Sequence, residues 1–393
     1  MKKITASILL LFCAWLLPAQ IADLPLLKVF DSFCRDNYGR NTLLSPWGIQ
    51  QCFGMIYGGA GTVSSGEFEQ VLGINKAAVK EFCRAAAELK NTHARFNSFN
   101  AVLFNNKYTL KKSFIQHAIN QCGGSLYRVD MARKKECVQM LNDMVRRESS
   151  GLFDGVFTPQ TLQGDPVMIL LNVLYFKANW ADEFSPAATR KEDFTVPSKN
   201  WERLHHSRVD MMNSKLFVPY YNDGKVHGIT LDYADRRFKM MVLTTVSPLE
   251  TPEKITALLA EKGIQHIEKN SSAANKTIIK LPKSNIAGEV DLKALFSKLG
   301  MKSTFDPAAG DITGAVEKHA LYISQAKQLV KLNLDENGTE AAAVTYAVAK
   351  CTSAPPGVMK YNRFYADHPF VLVLFDSQTQ AVLFVAAVWQ PKM

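Results

Sequence analysis

The chain has 393 residues, of which 47% are hydrophobic and 21% are charged, and its formal net charge is +10. These values are typical of a globular protein, so they exclude a disordered chain, a collagen-like repeat and a coiled coil. Lys and Arg are spread along the chain and are not gathered in one tract, so the charge does not predict nucleic-acid binding.

Residues 1–22 have the pattern of a secretory signal peptide. Lys2 and Lys3 precede a short apolar stretch, and the small residues Ala19 and Ala22 follow it. We therefore expect a mature domain of residues 23–393 that is secreted to the extracellular or periplasmic space. The alternative is an uncleaved apolar helix that packs on the domain. No later stretch reaches the ~18 apolar residues of a membrane helix, so we expect no membrane association.

Helical and strand-like segments are mixed along the rest of the chain. Ser45 followed by Pro46 is typical of a helix start, and Gly58 and Gly59 end that helix. Other apolar residues recur at helical spacing near positions 26–33, 79–89, 138–145 and 290–299. Strands are predicted at 168–176, 238–245, 277–281, 328–334, 370–375 and 381–388, the last two joined by a turn at 376–379. No βαβ rhythm and no domain boundary are visible, so the sequence predicts one α+β domain.

Catalytic and metal-binding motifs are missing from the sequence. It contains no GxSxG, HExxH, GxGxxG or P-loop motif and no CxxC pair, so we expect no enzyme, metal or cofactor. Six cysteines remain after the predicted cleavage, which is too few for a disulfide framework in a chain of this length. Cys34, Cys52 and Cys83 lie on apolar helix faces, where buried free thiols are expected.

The segment 338–350 has an unusual alternation. With period two, one face carries only Thr and Ala, at positions 339, 341, 343, 345, 347 and 349. The other face carries larger side chains, including Val344 and Tyr346, and is expected to tolerate solvent. Such a pattern suits a strand whose small face enters a close-packed interior, whereas the same composition also suits an Ala-rich helix. The pattern alone leaves both open.

Residues 335–345 resemble the hinge of inhibitory serpins, and motifs from about residue 24 to the C-terminus follow in the order of that family. They are Asn41 with Leu44-Ser45-Pro46 and Ile49; Leu141-Asn142 with Val145, Ser149 and Gly151; residues 172–180; Val209 with Met211-Met212; Leu281-Pro282-Lys283; Leu299-Gly300 with Phe305; and residues 364–370. The chain is identified as a member of the serpin family on this ordered set, and we expect a secreted serpin of bacterial type.

The resemblance implies a single serpin domain with about nine helices, three β-sheets and an exposed reactive-centre loop at about 336–360. It implies a monomer that offers this loop to a serine, or alternatively a cysteine, protease and traps the protease covalently. After the first cleavage step the loop inserts as a new strand into the central sheet. The alternative within the family is a non-inhibitory serpin that acts as a binding or chaperone module.

The resemblance also assigns roles to individual residues. The hinge comprises Glu336, Gly338, Thr339, Glu340, Ala341, Ala342, Ala343 and Thr345. The breach, where insertion starts, and the shutter, beneath the opening strands, comprise Trp180, Lys283, Asn172, Ser45 and Gln328. Counting along the loop places the scissile bond at Thr352-Ser353, with Lys350 and Cys351 as alternatives for the specificity position.

Two departures bear on function. Gln328 occupies the position where many relatives carry a shutter His, and we expect it to hydrogen-bond to Asn172 without a His-like pH response. Lys80, Arg84 and Lys90 resemble the family's polyanion-binding helix, but Glu81 and Glu88 interrupt them, so weak polyanion binding is expected.

Overall fold

The structure is a computed structural model that describes residues 23–89, 95–162, 164, 166–197, 204–339 and 360–392. The predicted signal peptide and the predicted loop positions from Glu340 to 359 lie outside these residues. The described part contains eight α-helices: α1 Leu24–Asp36, α2 Pro46–Tyr57, α3 Thr62–Glu67, α4 Lys76–Leu89, α5 Lys112–Ile115, α6 Lys134–Glu148, α7 Glu253–Lys269 and α8 Leu292–Lys298. Two π-helical segments, Phe68–Leu72 and Gln116–Gln121, continue α3 and α5.

The same residues form sixteen strands. They are β1 Thr42–Leu44, β2 Arg95–Asn105, β3 Ser125–Val129, β4 Met168–Asn179, β5 Arg190–Pro197, β6 Leu204–Phe217, β7 Tyr220–Asn222, β8 Val226–Asp232, β9 Phe238–Thr245, β10 Lys276–Pro282, β11 Ser284–Asp291, β12 Gln325–Leu334, β13 Gly338–Thr339, β14 Tyr361–Tyr365, β15 Phe370–Asp376 and β16 Val382–Val388.

The central sheet has the strand order β11-β12-β13-β4-β2-β3. Its middle strands β12 and β4 are parallel and pair directly from Gln325 opposite Ile169 to Lys331 opposite Tyr175. Beyond that point the two residues of β13 lie between them, antiparallel to both. The sheet is therefore closed along most of its length and open at one end.

Two further sheets complete the domain. One has the order β1-β16-β15-β9-β8-β7 and the other the order β14-β10-β6-β5. The predicted turn at 376–379 joins β15 to β16, which pair antiparallel as expected. The chain leaves the central sheet at β13 and returns in β14, so the undescribed residues connect these two sheets.

Strand β4 separates two apolar clusters. Its even-numbered residues Met168, Leu170, Leu174 and Phe176 belong to the main core, on the side of α2. Its odd-numbered residues Ile169, Leu171 and Val173 pack against α6 in a smaller cluster. A strand covered on both faces is a near-continuous apolar run, which is why the sequence revealed it. The α+β prediction is confirmed.

Two local expectations were wrong. Val290, assigned to the late helix, lies in β11, because the apolar pattern of that strand runs directly into α8. Cys83 is half-buried rather than buried, whereas Cys34 and Cys52 are buried free thiols. In the described residues, no helix is long and apolar enough to cross a membrane.

Candidate functional site

The open end of the central sheet is built around β13. Gly338 has a φ of +155° and pairs with Asn179, and Thr339 pairs with Ala178. A Cβ atom at position 338 would lie 2.1 Å from the carbonyl oxygen of Ala178. Only glycine therefore allows the chain to approach β4 this closely.

Thr339 is the first side chain that enters the sheet. It is fully buried, and its hydroxyl hydrogen-bonds to the hydroxyl of Tyr233. Burial raises the pKa of Tyr233, and the hydrogen bond with Thr339 opposes this only in part. The Tyr233 ring stacks on Trp180 with centroids 4.5 Å apart. Thr339 is therefore bound to a tyrosine whose ring is itself packed on a tryptophan.

Trp180 also holds the turn that precedes β13. Its Nε1 donates to the carbonyl oxygen of Asp335 at 3.0 Å, and its backbone N–H donates to that of Asn337 at 2.8 Å. The Asp335 carboxylate accepts from the backbone N–H groups of Asn337 and Gly338. The turn is therefore fixed both to β4 and to itself.

Glu336 forms an ion pair on this turn. Its Oε2 lies 2.8 Å from Nζ of Lys283, and its Oε1 accepts from the Thr189 hydroxyl at 2.8 Å. Burial alone would raise the pKa of Glu336, but the hydrogen bonds from Lys283 and Thr189 outweigh it and lower the pKa below its usual 4.5. The carboxylate is therefore charged at neutral pH and stabilises the turn.

A second polar cluster lies under the closed part of the sheet. Gln328 and Asn172 are opposite each other on β12 and β4, and Nε2 of Gln328 donates to Oδ1 of Asn172 at 2.8 Å. The same amide exchanges hydrogen bonds with the backbone N–H and C=O of Ser45. The Ser45 hydroxyl accepts from Gly48 N–H as a helix cap and donates to Leu383 O. All three side chains are buried, so direct hydrogen bonds join β12, β4 and α2 in the interior.

This cluster continues to residues that the sequence did not indicate. Nδ2 of Asn172 donates to Oδ1 of Asn100 at 2.6 Å, and Asn100 donates to Oε1 of Gln51. A Cβ atom on Gly48 would lie 2.3 Å from Oδ1 of Asn172, so α2 contacts the cluster through a glycine. Tyr233 and Thr189 were likewise not predicted at the open end, because neither belongs to a local pattern. Asp335 belongs to the hinge motif, but the sequence assigned it no role.

The structure therefore brings the predicted site residues into two groups along β4. Glu336, Gly338, Thr339, Trp180 and Lys283 meet at the open end, and Ser45, Asn172 and Gln328 meet beneath the closed part. The remaining predicted positions lie outside the described residues: Glu340, Ala341, Ala342, Ala343, Thr345, Lys350, Cys351, Thr352 and Ser353. Within the described ranges, no group of three His, Cys, Asp or Glu side chains could hold a metal ion.

The predicted polyanion helix is α4. Arg84 forms ion pairs there with both Glu81 and Glu88, so its charge is compensated within the helix. Lys90 lies outside the described residues. Lys80 is thus the basic position of this set that remains as a candidate contact.

Comparison with known families and proteins gives a consistent result. The family model described as Serpin (serine protease inhibitor) matches residues 26–391. An uncharacterised serpin-like protein of Thermococcus kodakarensis is 27% identical over 94% of this chain and 86% of its own length. The alpha-1-antiproteinase of Rattus norvegicus is 28% identical over 89% of this chain and 84% of its own length.

Solved structures share the fold. Human thyroxine-binding globulin in complex with thyroxine superposes with a TM-score of 0.82 at 20% identity, covering 95% of this chain and 98% of its own. Native protease nexin-1 with heparin superposes with a TM-score of 0.81 at 20% identity and the same coverage. At this identity the likeness shows the fold alone, and these two proteins bind different ligands.

Proposed function

Because the chain belongs to the serpin family, we propose that it is a suicide-substrate inhibitor of a serine endopeptidase, or alternatively of a cysteine endopeptidase. The loop that follows Thr339 would insert between β12 and β4 while the protease is still bound to it as an acyl-enzyme. The observation that carries this proposal is the position of β13, whose two residues already lie between these strands.

Both ladders of β13 predict the same register for an inserted loop. Gly338 opposite Asn179 and Thr339 opposite Ala178 continue to Thr345 opposite Asn172. On the other side, Thr339 opposite Leu334 continues to Thr345 opposite Gln328. Thr345 would therefore enter between the two side chains whose hydrogen bond now closes the sheet, and its hydroxyl could take over as their partner.

The small face of the loop would lie on the side of β4 that belongs to the main core. In this register, Ala341, Ala343 and Ala347 would lie opposite Phe176, Leu174 and Leu170, which belong to the main core. Because that core is already packed, only small side chains can be added there without strain. This match supports the proposal that the Thr and Ala face serves to insert the loop into the sheet.

The larger face would meet α6. Val344 and Tyr346 would lie opposite Val173 and Leu171, which are covered by the cluster that includes Leu141 and Val145 of α6. Residues 344 and 346 lie outside the described residues, so the expectation that their face tolerates solvent stays a prediction, whereas the side of β4 that they would join is covered by this cluster. Insertion requires α6 to move away from β4 or to repack over the new strand.

The chemistry needs no catalytic group in this chain. The hydroxyl or thiol of the protease attacks the scissile carbonyl, proposed at Thr352-Ser353, and the new N-terminus leaves. An inserted strand from Gly338 to Thr352 would extend about 50 Å at ~3.3 Å per residue. That displacement would carry the acylated protease along the domain.

We further propose export through residues 1–22, which N-terminal sequencing of the mature protein would test, and weak polyanion binding at α4 around Lys80.

The inhibitor proposal is tested by mixing the protein with a panel of serine and cysteine proteases. We expect a covalent complex that survives denaturing electrophoresis, together with a cleaved form of raised thermal stability. Cleavage without a complex and without a rise in stability would instead favour the non-inhibitory alternative. Mass spectrometry of the released C-terminal peptide locates the bond.

Three arginine variants sharpen this test. Thr339→Arg should yield a plain substrate, but Thr339 is already buried, so this variant also perturbs the uncleaved protein. Ala343→Arg introduces the same charge at a position that would lie opposite the buried Leu174 in the inserted strand. Ala342→Arg is its matched control, since it would lie opposite the half-buried Tyr175. We expect complex formation to be lost with Ala343→Arg and largely kept with Ala342→Arg.

A further inference from the structure

Two cysteines from distant parts of the chain lie side by side. Cys83 is on α4, and Cys122 directly follows the π-helical segment Gln116–Gln121 before β3. Their Sγ atoms are 3.1 Å apart, and both are free thiols. We propose that Cys83 and Cys122 form a redox-active dithiol that closes to a disulfide by exchange with a small anionic disulfide of the glutathione class.

The geometry requires little movement of the sulfur atoms. A disulfide bond is about 2.05 Å long, so the two Sγ atoms need to approach by roughly 1 Å. Side-chain rotation can supply a shift of this size. The pair also closes a long loop, from α4 through β2 to the start of β3, and cross-links that close long loops restrict the unfolded chain most.

The two thiols are chemically unequal. The hydrogen bond with Cys122 lowers the pKa of Cys83, and burial opposes this. The hydrogen bond with Cys83, followed by burial, raises the pKa of Cys122. Burial raises the pKa of Cys34 and of Cys52 to about 12. Since the thiolate is the nucleophile, Cys83 is the favoured first attacking group among these cysteines.

Cys83 can be reached from solvent and is flanked by positive charge. It is half-buried and lines a surface pocket of about 710 Å³ together with Lys76, Lys80 and His117. Cys83 and Cys122 both line a second pocket of about 380 Å³. The two lysines would attract the carboxylates of a glutathione-class disulfide, which selects an anionic oxidant over a neutral one.

The exchange balances in two steps. The Cys83 thiolate attacks one sulfur of the small disulfide, which releases one small thiolate and leaves a mixed disulfide on Cys83. Cys122 then loses its proton to solvent and attacks Sγ of Cys83, which releases the second small thiolate. The two cysteines are oxidised by two electrons, and one small disulfide is reduced to two thiols.

The new bond would tie the central sheet to α4. Because α4 leads towards β2 and Cys122 leads into β3, the disulfide would link the segment before β2, which pairs with β4, to the segment before β3, which pairs with β2. If β4 must part from β12 for insertion, the oxidised protein should form protease complexes more slowly. This consequence rests on the proposed function, whereas formation of the bond does not.

The test treats the full-length mature chain, with Cys351→Ser to remove the cysteine near the proposed scissile bond, with glutathione disulfide. Peptide mapping without reduction should find a Cys83–Cys122 disulfide, while Cys34 and Cys52 stay free. Cys122→Ser should stop at one glutathione adduct on Cys83, and Cys83→Ser should leave Cys122 unmodified. Free thiols at both positions, a stable adduct in the unmutated pair, or adducts spread over the other cysteines would each overturn the proposal.

A charge control tests the choice of oxidant. Lys76→Glu combined with Lys80→Glu should slow closure by glutathione disulfide several-fold and leave closure by neutral 2-hydroxyethyl disulfide unchanged. Equal slowing with both reagents would refute the part assigned to the lysines.

Protease trapping separates the dithiol from its effect on insertion. If the bond forms but the rate of protease trapping is unchanged, the proposed dithiol is supported and its proposed effect on insertion is refuted. If no protease is trapped in either redox state, the proposed function fails and the disulfide result is unaffected.

Discussion

The hydroxyls of Thr339 and Tyr233 share a hydrogen bond at the point where β13 separates β12 from β4. Both side chains are fully buried, and the Tyr233 ring stacks on Trp180. The first side chain of the proposed inserted strand is therefore already bound in the uncleaved protein. This contact adds to those of Trp180, Asp335 and Glu336 in holding β13 between the two strands.

The first prediction concerns this pair. Tyr233→Phe leaves the Thr339 hydroxyl buried without this partner and should lower the free energy of unfolding by about 1–3 kcal/mol. Thr339→Val should lower the free energy of unfolding by a similar amount, because it leaves the Tyr233 hydroxyl buried without the Thr339 hydroxyl as a partner. The double variant removes both groups, so its cost should be well below the sum of the two. Urea denaturation of the four proteins measures the coupling, and strictly additive costs would show that the hydroxyls do not interact.

The second prediction concerns Gly338. Gly338→Ala places a Cβ atom 2.1 Å from Ala178 O, so either β4 must shift or β13 must leave the sheet. We expect a loss of more than about 2 kcal/mol in the free energy of unfolding. Gly224 is a matched control, since it also has a positive φ but a Cβ atom added there would meet nothing within 4 Å. Gly224→Ala should cost only about 1 kcal/mol, and equal costs at both positions would contradict the close approach.

The sequence predicted which residues form the site, but it did not predict the positions of these residues in the sheet. The Thr and Ala face indicated a segment fit for insertion, but not that Gly338 and Thr339 already lie between the strands. That outcome depends on competition with the β12–β4 pairing, which no local pattern encodes. Strand β2 was missed because Asn97 and Asn100 interrupt its apolar residues. The polar Asn100 is accommodated inside the domain because it hydrogen-bonds to Asn172. The partners Gln51 and Tyr233 are set by tertiary packing in the same way.

The third prediction concerns Gln328. Gln328→Leu removes the hydrogen bonds from Gln328 to Asn172 and to the backbone of Ser45. The buried Asn172 amide oxygen and the backbone N–H and C=O of Ser45 then lose these hydrogen-bond partners. We expect a loss of about 2–4 kcal/mol in the free energy of unfolding. Gln160→Leu, at an exposed position, should change it by less than about 0.5 kcal/mol. Equal stability of the two variants would mean that the buried amide does not stabilise the closed sheet.

The fourth prediction is a pH dependence that arises at Glu336. Its folded-state pKa lies below the usual 4.5, because the hydrogen bonds from Lys283 and Thr189 outweigh the effect of burial. As the pH falls, the unfolded chain therefore takes up this proton before the folded chain does. The stabilisation is fully present above about pH 4.5 and is lost as the pH falls through the lower folded-state pKa.

Glu336→Gln should consequently lower the free energy of unfolding by about 1–2 kcal/mol at pH 7 and by progressively less below pH 4.5. The control is Asp193→Asn, which breaks an ion pair with Arg208 in which both side chains are more than 60% exposed. Such a pair contributes about 0–1 kcal/mol, so the control should follow the parent protein at every pH. Urea denaturation from pH 3 to pH 7 compares the three proteins. A Glu336→Gln deficit that stays constant down to pH 3 would show that the charge on Glu336 does not stabilise the turn, and that its contribution comes from packing.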